Sequence, residues 1–185
     1  MDVDQAMRAV PRADFLRPAE RERADEDGPL PIGEGQTSSQ PRTVAAMLRL
    51  LDVRAGHRVL DVGAGSGWTT ALLAQMVGPA GWVLGIELSP ALAAWGGANI
   101  ARRGQEWSRL REATPGELGS PADGPYDRIL CSAEADRLPG QLVEQLAPGG
   151  VLVVPVVGEM LRVVADQTGA LTTSCHGAYR FVPLR

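Results

Sequence analysis

The sequence contains no lysine, so its 18 basic side chains are all arginine, against 22 aspartates and glutamates and a formal net charge of −4. Proteins that bind the phosphate backbone of nucleic acids need clustered positive charge. The sequence also lacks an Asn/Asp-Pro-Pro-aromatic run, which would bind the amino group of a flipped base. We therefore predict that the chain does not bind nucleic acid.

Cysteine is scarce as well. Cys131 and Cys175 are the only two, and they form no CxxC pair. No zinc or redox motif is visible, and we predict no bound metal. Cys131 lies in the apolar run RILCSA, which predicts a buried and inert thiol.

Long apolar runs are also missing. None approaches the roughly 20 residues that a helix needs to span a bilayer. The first ten residues, MDVDQAMRAV, have acids where a signal peptide needs basic residues. We therefore predict no membrane segment and a cytoplasmic, reducing location.

What the sequence does contain is an alternation of strand-like and helix-like runs, which is typical of a parallel sheet covered by helices. We predict an α/β fold: a Rossmann-like, doubly wound, mostly parallel sheet with helices on both faces. A β-rich section at residues 159–184 predicts an antiparallel C-terminal edge. The 185 residues are predicted to form a single domain, with a helical and loop cap at residues 1–43 and a Rossmann-like core at residues 44–185.

Apolar spacing, prolines and glycines predict where the elements lie. Helices are expected at residues 4–10, 41–53, 69–77, 90–104 and 140–150. Core strands are expected at residues 57–62, 81–88, 108–115, 126–133 and 151–157. The stretch PLPIGEGQTSSQP, residues 29–41, is expected to be a loop, either a surface linker or a segment that folds over a ligand.

The stretch LDVGAGSGWTT is the most informative. It places Asp61 at the end of a predicted strand and Gly63, Gly65 and Gly67 before a predicted helix. A dinucleotide fingerprint would need its third glycine at position 68, where this chain has Trp68. An acid two residues before the first glycine disfavours a pyrophosphate and favours a ligand that carries positive charge.

S-adenosylmethionine is such a ligand, because it has a sulfonium and an ammonium group and no phosphate. Asp61 is predicted to bind near the ammonium end, directly or through water. Glu87 ends the next predicted strand, where an acid can accept hydrogen bonds from both ribose hydroxyls. Either acid alone would suit an ordinary loop, but the joint pattern indicates a methyltransferase site.

Several other stretches resemble one family within the class I S-adenosylmethionine-dependent methyltransferases, the protein-L-isoaspartate O-methyltransferases. LPIGEGQTSSQP is similar to the family's Gly-x-Gly-Gln-Thr-x-Ser-x-Pro signature, which is its most specific part. MRAVPRADF, RVLDVGAGSG, PYDRIL, EQLAPGGVLVVPV and YRFVPL resemble further family segments, so that the likeness covers nearly the whole chain.

The resemblance implies roles for individual residues. The catalytic position is Ser39, which would orient the substrate carboxylate through a hydrogen bond and would not act as a nucleophile. The implied cofactor-binding residues are Thr37, Ser38, Ser39, Gln40, Asp61, Gly63, Gly65, Gly67, Glu87, Ala113 and Thr114. The implied substrate-binding residues are Ser39, Ser132, Val182, Pro183 and Leu184.

Two positions depart from the family pattern. Thr114 stands where an acid usually meets the adenine amino group, so that this contact is expected to weaken or to move to the backbone near Ala113. Glu134 stands at a small-residue position beside a substrate that is itself a carboxylate. Either Glu134 points to solvent, or the substrate differs from a simple isoaspartyl peptide.

The resemblance implies methylation of the free carboxylate of L-isoaspartyl residues in peptides or proteins, which is a protein-repair reaction. The donor would be S-adenosylmethionine and the product S-adenosylhomocysteine. We also expect the protein to be a monomer. Two alternatives remain open at this point. One is a diverged carboxyl methyltransferase acting on a dedicated biosynthetic peptide or a small molecule. The other is a cofactor-binding protein without turnover.

Overall fold

The protein is described by a computed structural model that covers residues 1–185. It has nine strands: β1 (Leu30–Gly33), β2 (Gln36–Ser38), β3 (Arg58–Val62), β4 (Trp82–Glu87), β5 (Ser108–Glu112), β6 (Tyr126–Cys131), β7 (Leu146–Val156), β8 (Glu159–Ala165) and β9 (Leu171–Ala178). Seven of them form one sheet in the order β5-β4-β3-β6-β7-β8-β9. The first five of that order run parallel, β8 pairs antiparallel with β7, and β9 pairs antiparallel with β8. The predicted fold class, including the antiparallel C-terminal edge, is confirmed.

There are five α-helices: α1 (Val3–Ala9), α2 (Pro41–Leu51), α3 (Trp68–Val77), α4 (Pro90–Arg103) and α5 (Gly140–Val143). Both α2 and α4 begin with proline, whose missing N–H would have no partner in the first turn. Because α2 begins at residue 41, it crosses the boundary predicted between cap and core at residues 43 and 44. None of the helices is both long and apolar enough to cross a membrane.

Two apolar layers cover the faces of the sheet. The larger cluster packs α1, α2 and α3 against one face, with Phe15, Leu48 and Leu72 among its fully buried members. The smaller one covers the other face and includes Leu142 of α5 and Cys131, whose thiol is buried as predicted. These layers hold the carboxyl ends of β3 and β4 in place, and the glycine loop leaves the sheet there.

The residues predicted to be a loop ahead of the core form a hairpin, so that part of the prediction was wrong. Strand β1 pairs antiparallel with β2, and the two are joined by a turn at Glu34, which has φ +54°. Gly33 and Gly35 on either side have φ +103° and +69°, a region that strains other residues. We call residues 30–38 the cap hairpin.

The helix predicted at residues 140–150 was also wrong in extent. Helix α5 ends at Val143, and β7 begins at Leu146 and continues to Val156. Pro148 cannot donate the backbone hydrogen bond that a helix interior needs, and it disfavours the helical conformation at the residue before it. Gly149 then has φ +78°, which ends any helical path.

Candidate active site

The glycine loop connects β3 to α3. Gly63, Gly65 and Gly67 have φ values of +76°, +54° and +89°. Residues with a side chain avoid this region, so the three glycines supply a backbone path that other residues would strain. The sequence predicted the loop for this reason.

The cap hairpin lies directly over the loop. A Cβ atom built on Gly65 would come within 3.0 Å of the Ile32 Cδ1 atom in β1. On the opposite side, a Cβ atom on Gly67 would lie 3.2 Å from the Gly96 carbonyl oxygen in α4. The loop therefore fits between hairpin and helix only because it carries no side chains at these positions.

Asp61 is the penultimate residue of β3, beneath the loop, and is fully buried. Its Oδ2 atom accepts hydrogen bonds from the hydroxyls of Thr69 at 2.8 Å and Thr70 at 2.7 Å, while Oδ1 has no partner. Burial raises the pKa of Asp61 to about 6, although the two threonine hydrogen bonds act in the opposite direction. A buried carboxylate oxygen without a partner is costly, and a cationic hydrogen-bond donor would satisfy it.

Glu87 ends β4 next to Asp61 and is also buried. Its Oε2 atom accepts a hydrogen bond from the Gly65 backbone N–H at 2.8 Å, and its Oε1 atom accepts one from the Ser89 N–H at 2.9 Å. A carboxylate has about four acceptor positions, so two stay available for hydroxyl groups of a ligand. The residues present thus fit the predicted cofactor at both acids.

A cleft lies between the cap hairpin and the glycine loop. It brings together six of the predicted site residues: Thr37, Ser38, Ser39, Gly63, Gly65 and Ser132. Ser132 follows β6, and its N–H donates to the Val62 carbonyl at 2.8 Å. The roles assigned to these residues stay predictions, but their meeting in one cleft is what a shared site requires.

Other predicted residues lie outside the cleft lining. The Gln40 side chain donates to the Asp27 backbone and carboxylate at 2.9 and 3.0 Å, which directs it away from the glycine loop. Thr114 is exposed after β5. The Ala113 N–H donates to the Glu87 carbonyl at 2.9 Å, so the backbone here lies next to the acid at the end of β4.

The C-terminal segment is hydrogen-bonded to Glu134, one of the two residues that depart from the family pattern. The Glu134 N–H donates to the Val182 carbonyl, and the Leu184 N–H donates to the Glu134 carbonyl, both at 2.7 Å. The Glu134 Oε2 atom accepts a hydrogen bond from the Phe181 N–H at 3.4 Å. The carboxylate is therefore half-buried against the C-terminal segment and does not point freely to solvent. Pro183, between these partners, is exposed.

One residue of the site was missed by sequence analysis. Arg12 follows α1, is 5% exposed, and donates hydrogen bonds to Ser38 and Ser39. The only sequence signal was the Pro-Arg pair in MRAVPRADF, which gives no indication of a partner 26 residues away.

Comparisons with known proteins agree with this geometry. A family model described as Protein-L-isoaspartate(D-aspartate) O-methyltransferase (PCMT) matches residues 1–185. A protein-L-isoaspartate O-methyltransferase from Methanopyrus kandleri is 44% identical over 98% of this chain and 82% of its own length, and one from Methanosarcina mazei is 39% identical over 98% and 76%. The solved structure of a PCMT from Plasmodium falciparum in complex with S-adenosyl-L-homocysteine superposes with a TM-score of 0.82 at 25% identity, covering 100% of this chain and 90% of that one. The chain therefore belongs to the protein-L-isoaspartate O-methyltransferase family.

Proposed function

We propose that this protein transfers the methyl group of S-adenosylmethionine to the free carboxylate of L-isoaspartyl residues in peptides and proteins. One observation carries the proposal: the hydroxyl-rich cap hairpin and the glycine loop line one cleft, and Asp61 and Glu87 are buried at the carboxyl ends of β3 and β4, behind that lining. Full-length agreement with the family model supports the same reaction.

The cofactor would be held by the residues at the carboxyl ends of β3 and β4. When bound, S-adenosylmethionine supplies an activated methyl group on a cationic sulfur. Asp61 would accept from its ammonium group through the unpartnered Oδ1 atom, and Glu87 would accept from its ribose hydroxyls. Because Thr114 is exposed and uncharged, the backbone at Ala113 would supply the adenine contact.

The reaction asks for no general base. The isoaspartyl carboxylate has a pKa of roughly 4 and is already ionised at pH 7. The protein's part is to orient that carboxylate through the Ser39 hydroxyl and to exclude competing water beneath the cap hairpin. A nucleophilic serine would need a neighbouring base, but His57 and His176 lie outside the cleft lining.

Further properties complete the proposal. The protein acts as a monomer, as expected from the sequence. It works in a reducing, cytoplasmic setting, in keeping with its two free cysteines. It binds neither membranes nor nucleic acid, in keeping with its net charge of −4.

The test is transfer of a labelled methyl group to an isoaspartyl peptide and to the same peptide with normal aspartate. We expect base-labile label in the isoaspartyl peptide only, and loss of most of that label in Ser39→Ala. Equal labelling of both peptides would reject the substrate class. Absence of labelling with intact cofactor binding would leave a binding protein without turnover as the better description.

A second candidate function has an observation in its favour. Glu134 brings a carboxylate to the segment that would frame the peptide, and no cation lies within ion-pair distance of it. A diverged carboxyl methyltransferase acting on a dedicated peptide or small molecule would account for this. Labelling of a biosynthetic peptide encoded beside this gene, with no labelling of isoaspartyl peptides, would favour it.

A further inference from the structure

Arg12 is a buried cation whose hydrogen bonds converge on the segment that carries Ser39. Its Nε atom donates to the Ser38 hydroxyl at 3.1 Å. Its Nη2 atom donates to the carbonyl oxygens of Ser38 and Ser39, both at 3.0 Å. One side chain thus contacts two consecutive peptide groups next to the predicted catalytic hydroxyl.

The same guanidinium also donates hydrogen bonds to the segment that precedes the cap hairpin. Its Nη2 atom donates to the Gly28 carbonyl at 2.8 Å, and its Nη1 atom donates to the Glu26 carbonyl at 3.0 Å and the Ala24 carbonyl at 3.5 Å. All its hydrogen bonds therefore go to oxygen atoms within one stretch of the chain, residues 24–39, which includes the cap hairpin. The planar fork of arginine suits such a set, whereas the compact ammonium of lysine does not.

The charge of Arg12 is held without a direct carboxylate partner. It takes part in none of the ion pairs of the chain. Burial lowers the pKa of Arg12, with Asp27 and Glu26 acting in the opposite direction from farther away. The guanidinium also lies 5.5 Å from the centre of the Trp68 ring, at the start of α3 and beside the glycine loop. It therefore bridges the two walls of the cleft.

Holding a cation in the interior without a carboxylate partner costs free energy. The hydrogen bonds from Arg12 to the segment that carries Ser39 offset that cost. We propose that Arg12 is a positioning residue for methyl transfer: it fixes the peptide groups of Ser38 and Ser39 so that the Ser39 hydroxyl faces the cleft. Arg12 contacts neither substrate nor cofactor itself. The expected effect of Arg12 on methyl transfer rests on the proposed function. Its expected effect on the Ser38 and Ser39 peptide groups does not.

The experiment compares Arg12→Lys with wild type and with Arg23→Lys. Arg23 is a matched control because it lies in the same N-terminal region but forms only exposed ion pairs with Glu20 and Glu26. Three measurements are made on each chain: the kinetics with an isoaspartyl peptide, which give kcat and KM, the Kd for S-adenosylhomocysteine, and the amide hydrogen exchange of residues 36–40.

For Arg12→Lys we expect a folded protein with kcat lowered about 10- to 100-fold, because small misplacements of a positioned group have effects of that size. The Kd for S-adenosylhomocysteine should rise by a smaller factor than kcat falls, because the cap hairpin loosens while Asp61 and Glu87 are unchanged. Hydrogen exchange of residues 36–40 should become faster. Arg23→Lys should match wild type in all three measurements.

The proposal is overturned by unchanged kcat and unchanged exchange in a folded Arg12→Lys. It is also overturned if that variant is unfolded at the assay temperature, because Arg12 then acts on folding as a whole. Lost kcat with unchanged exchange rejects the positioning role as well. If wild type itself fails to methylate the peptide, the proposed function fails, while the exchange measurement still decides whether Arg12 fixes the Ser39 segment.

Discussion

Glu87 accepts a hydrogen bond from the backbone N–H of Gly65, with 2.8 Å between Oε2 and N. This bond joins the carboxyl end of β4 to the loop that leaves the neighbouring strand β3. The acid predicted to bind the ribose therefore also shapes the glycine loop. Cofactor affinity and local stability should depend on the same carboxylate.

The first prediction concerns this carboxylate. Glu87→Gln replaces one of the two acceptor oxygens with an NH₂ group, which then faces a backbone N–H of Gly65 or Ser89. Leaving such a buried donor without an acceptor costs about 1–3 kcal/mol. We expect a matching loss in the free energy of unfolding and at least about ten-fold weaker binding of S-adenosylhomocysteine, measured by denaturant titration and calorimetry.

Glu112→Gln is the control, because Glu112 ends the next strand, β5, but is exposed. It should leave both stability and affinity unchanged. If Glu112→Gln weakened cofactor binding as much as Glu87→Gln, general electrostatics and not the specific contact would explain the effect.

The second prediction concerns the pH dependence of stability. Burial raises the pKa of Asp61 to about 6 in the folded protein, from a value near 4 in an unfolded chain. The folded state therefore binds more protons than the unfolded state between about pH 4 and pH 6. The contribution of Asp61 is fully present below pH 4 and is lost as pH rises through 6, a change of about 3 kcal/mol.

Asp61→Asn removes this titration and keeps an oxygen for Thr69 and Thr70. The free energy of unfolding of Asp61→Asn minus that of wild type should therefore rise from pH 4 to pH 7. Urea unfolding at four pH values measures it, and taking the difference cancels the other titrating groups. A difference that is constant with pH would show that Asp61 is not buried as an unpaired acid.

The third prediction separates backbone strain from closeness to the hairpin. Gly65→Ala and Gly35→Ala both put a Cβ atom on a residue with positive φ, at a cost of roughly 1–2 kcal/mol. Only the Cβ atom at Gly65 would press on Ile32, at 3.0 Å, whereas that at Gly35 has nothing within 4 Å. We expect similar losses of stability, but a fall in affinity for S-adenosylhomocysteine in Gly65→Ala alone. Equal affinities in the two variants would mean that the hairpin does not cover the cofactor.

The fourth prediction concerns peptide preference. Glu134→Gln keeps the size of the side chain and removes a half-buried negative charge next to the C-terminal segment. Removing a nearby like charge should raise kcat/KM about five-fold for isoaspartyl peptides with a neighbouring acid, with little change for those with a neighbouring lysine. The effect should shrink in high salt. Asp136→Asn, an exposed acid two residues on, serves as control. An unchanged ratio between the two peptides would contradict a role for Glu134 in peptide selection.

The sequence was most informative where backbone geometry demands one residue type. Gly63, Gly65 and Gly67 marked the loop because their positive φ values exclude other residues. Asp61 and Glu87 were predicted to lie at the carboxyl ends of two strands of one unit, and the structure has these strands as parallel neighbours. Both rules depend on residue type and on the order of strands and helices, which a single sequence shows.

The sequence was least informative where a contact involves mainly backbone oxygens far away in the chain. Arg12 donates to the Ser38 carbonyl, 26 residues further along the chain. Every residue has a backbone carbonyl, so the sequence does not show which one is the partner. The cap hairpin was missed because Pro31, Gly33 and Gly35 are residue types typical of loops, so its two short strands were predicted to be a loop. The helix at α5 was predicted to be too long because the apolar spacing before Pro148 fits a helix as well as it fits a strand.

The most direct test of the account is a crystal structure of the protein with S-adenosylhomocysteine and an isoaspartyl peptide. We predict that the cofactor lies across the ends of β3 and β4 beneath the cap hairpin, with its ribose on Glu87. The Ser39 hydroxyl should lie within hydrogen-bonding distance of the isoaspartyl carboxylate. A cofactor bound elsewhere, or a Ser39 side chain turned away from that carboxylate, would contradict it.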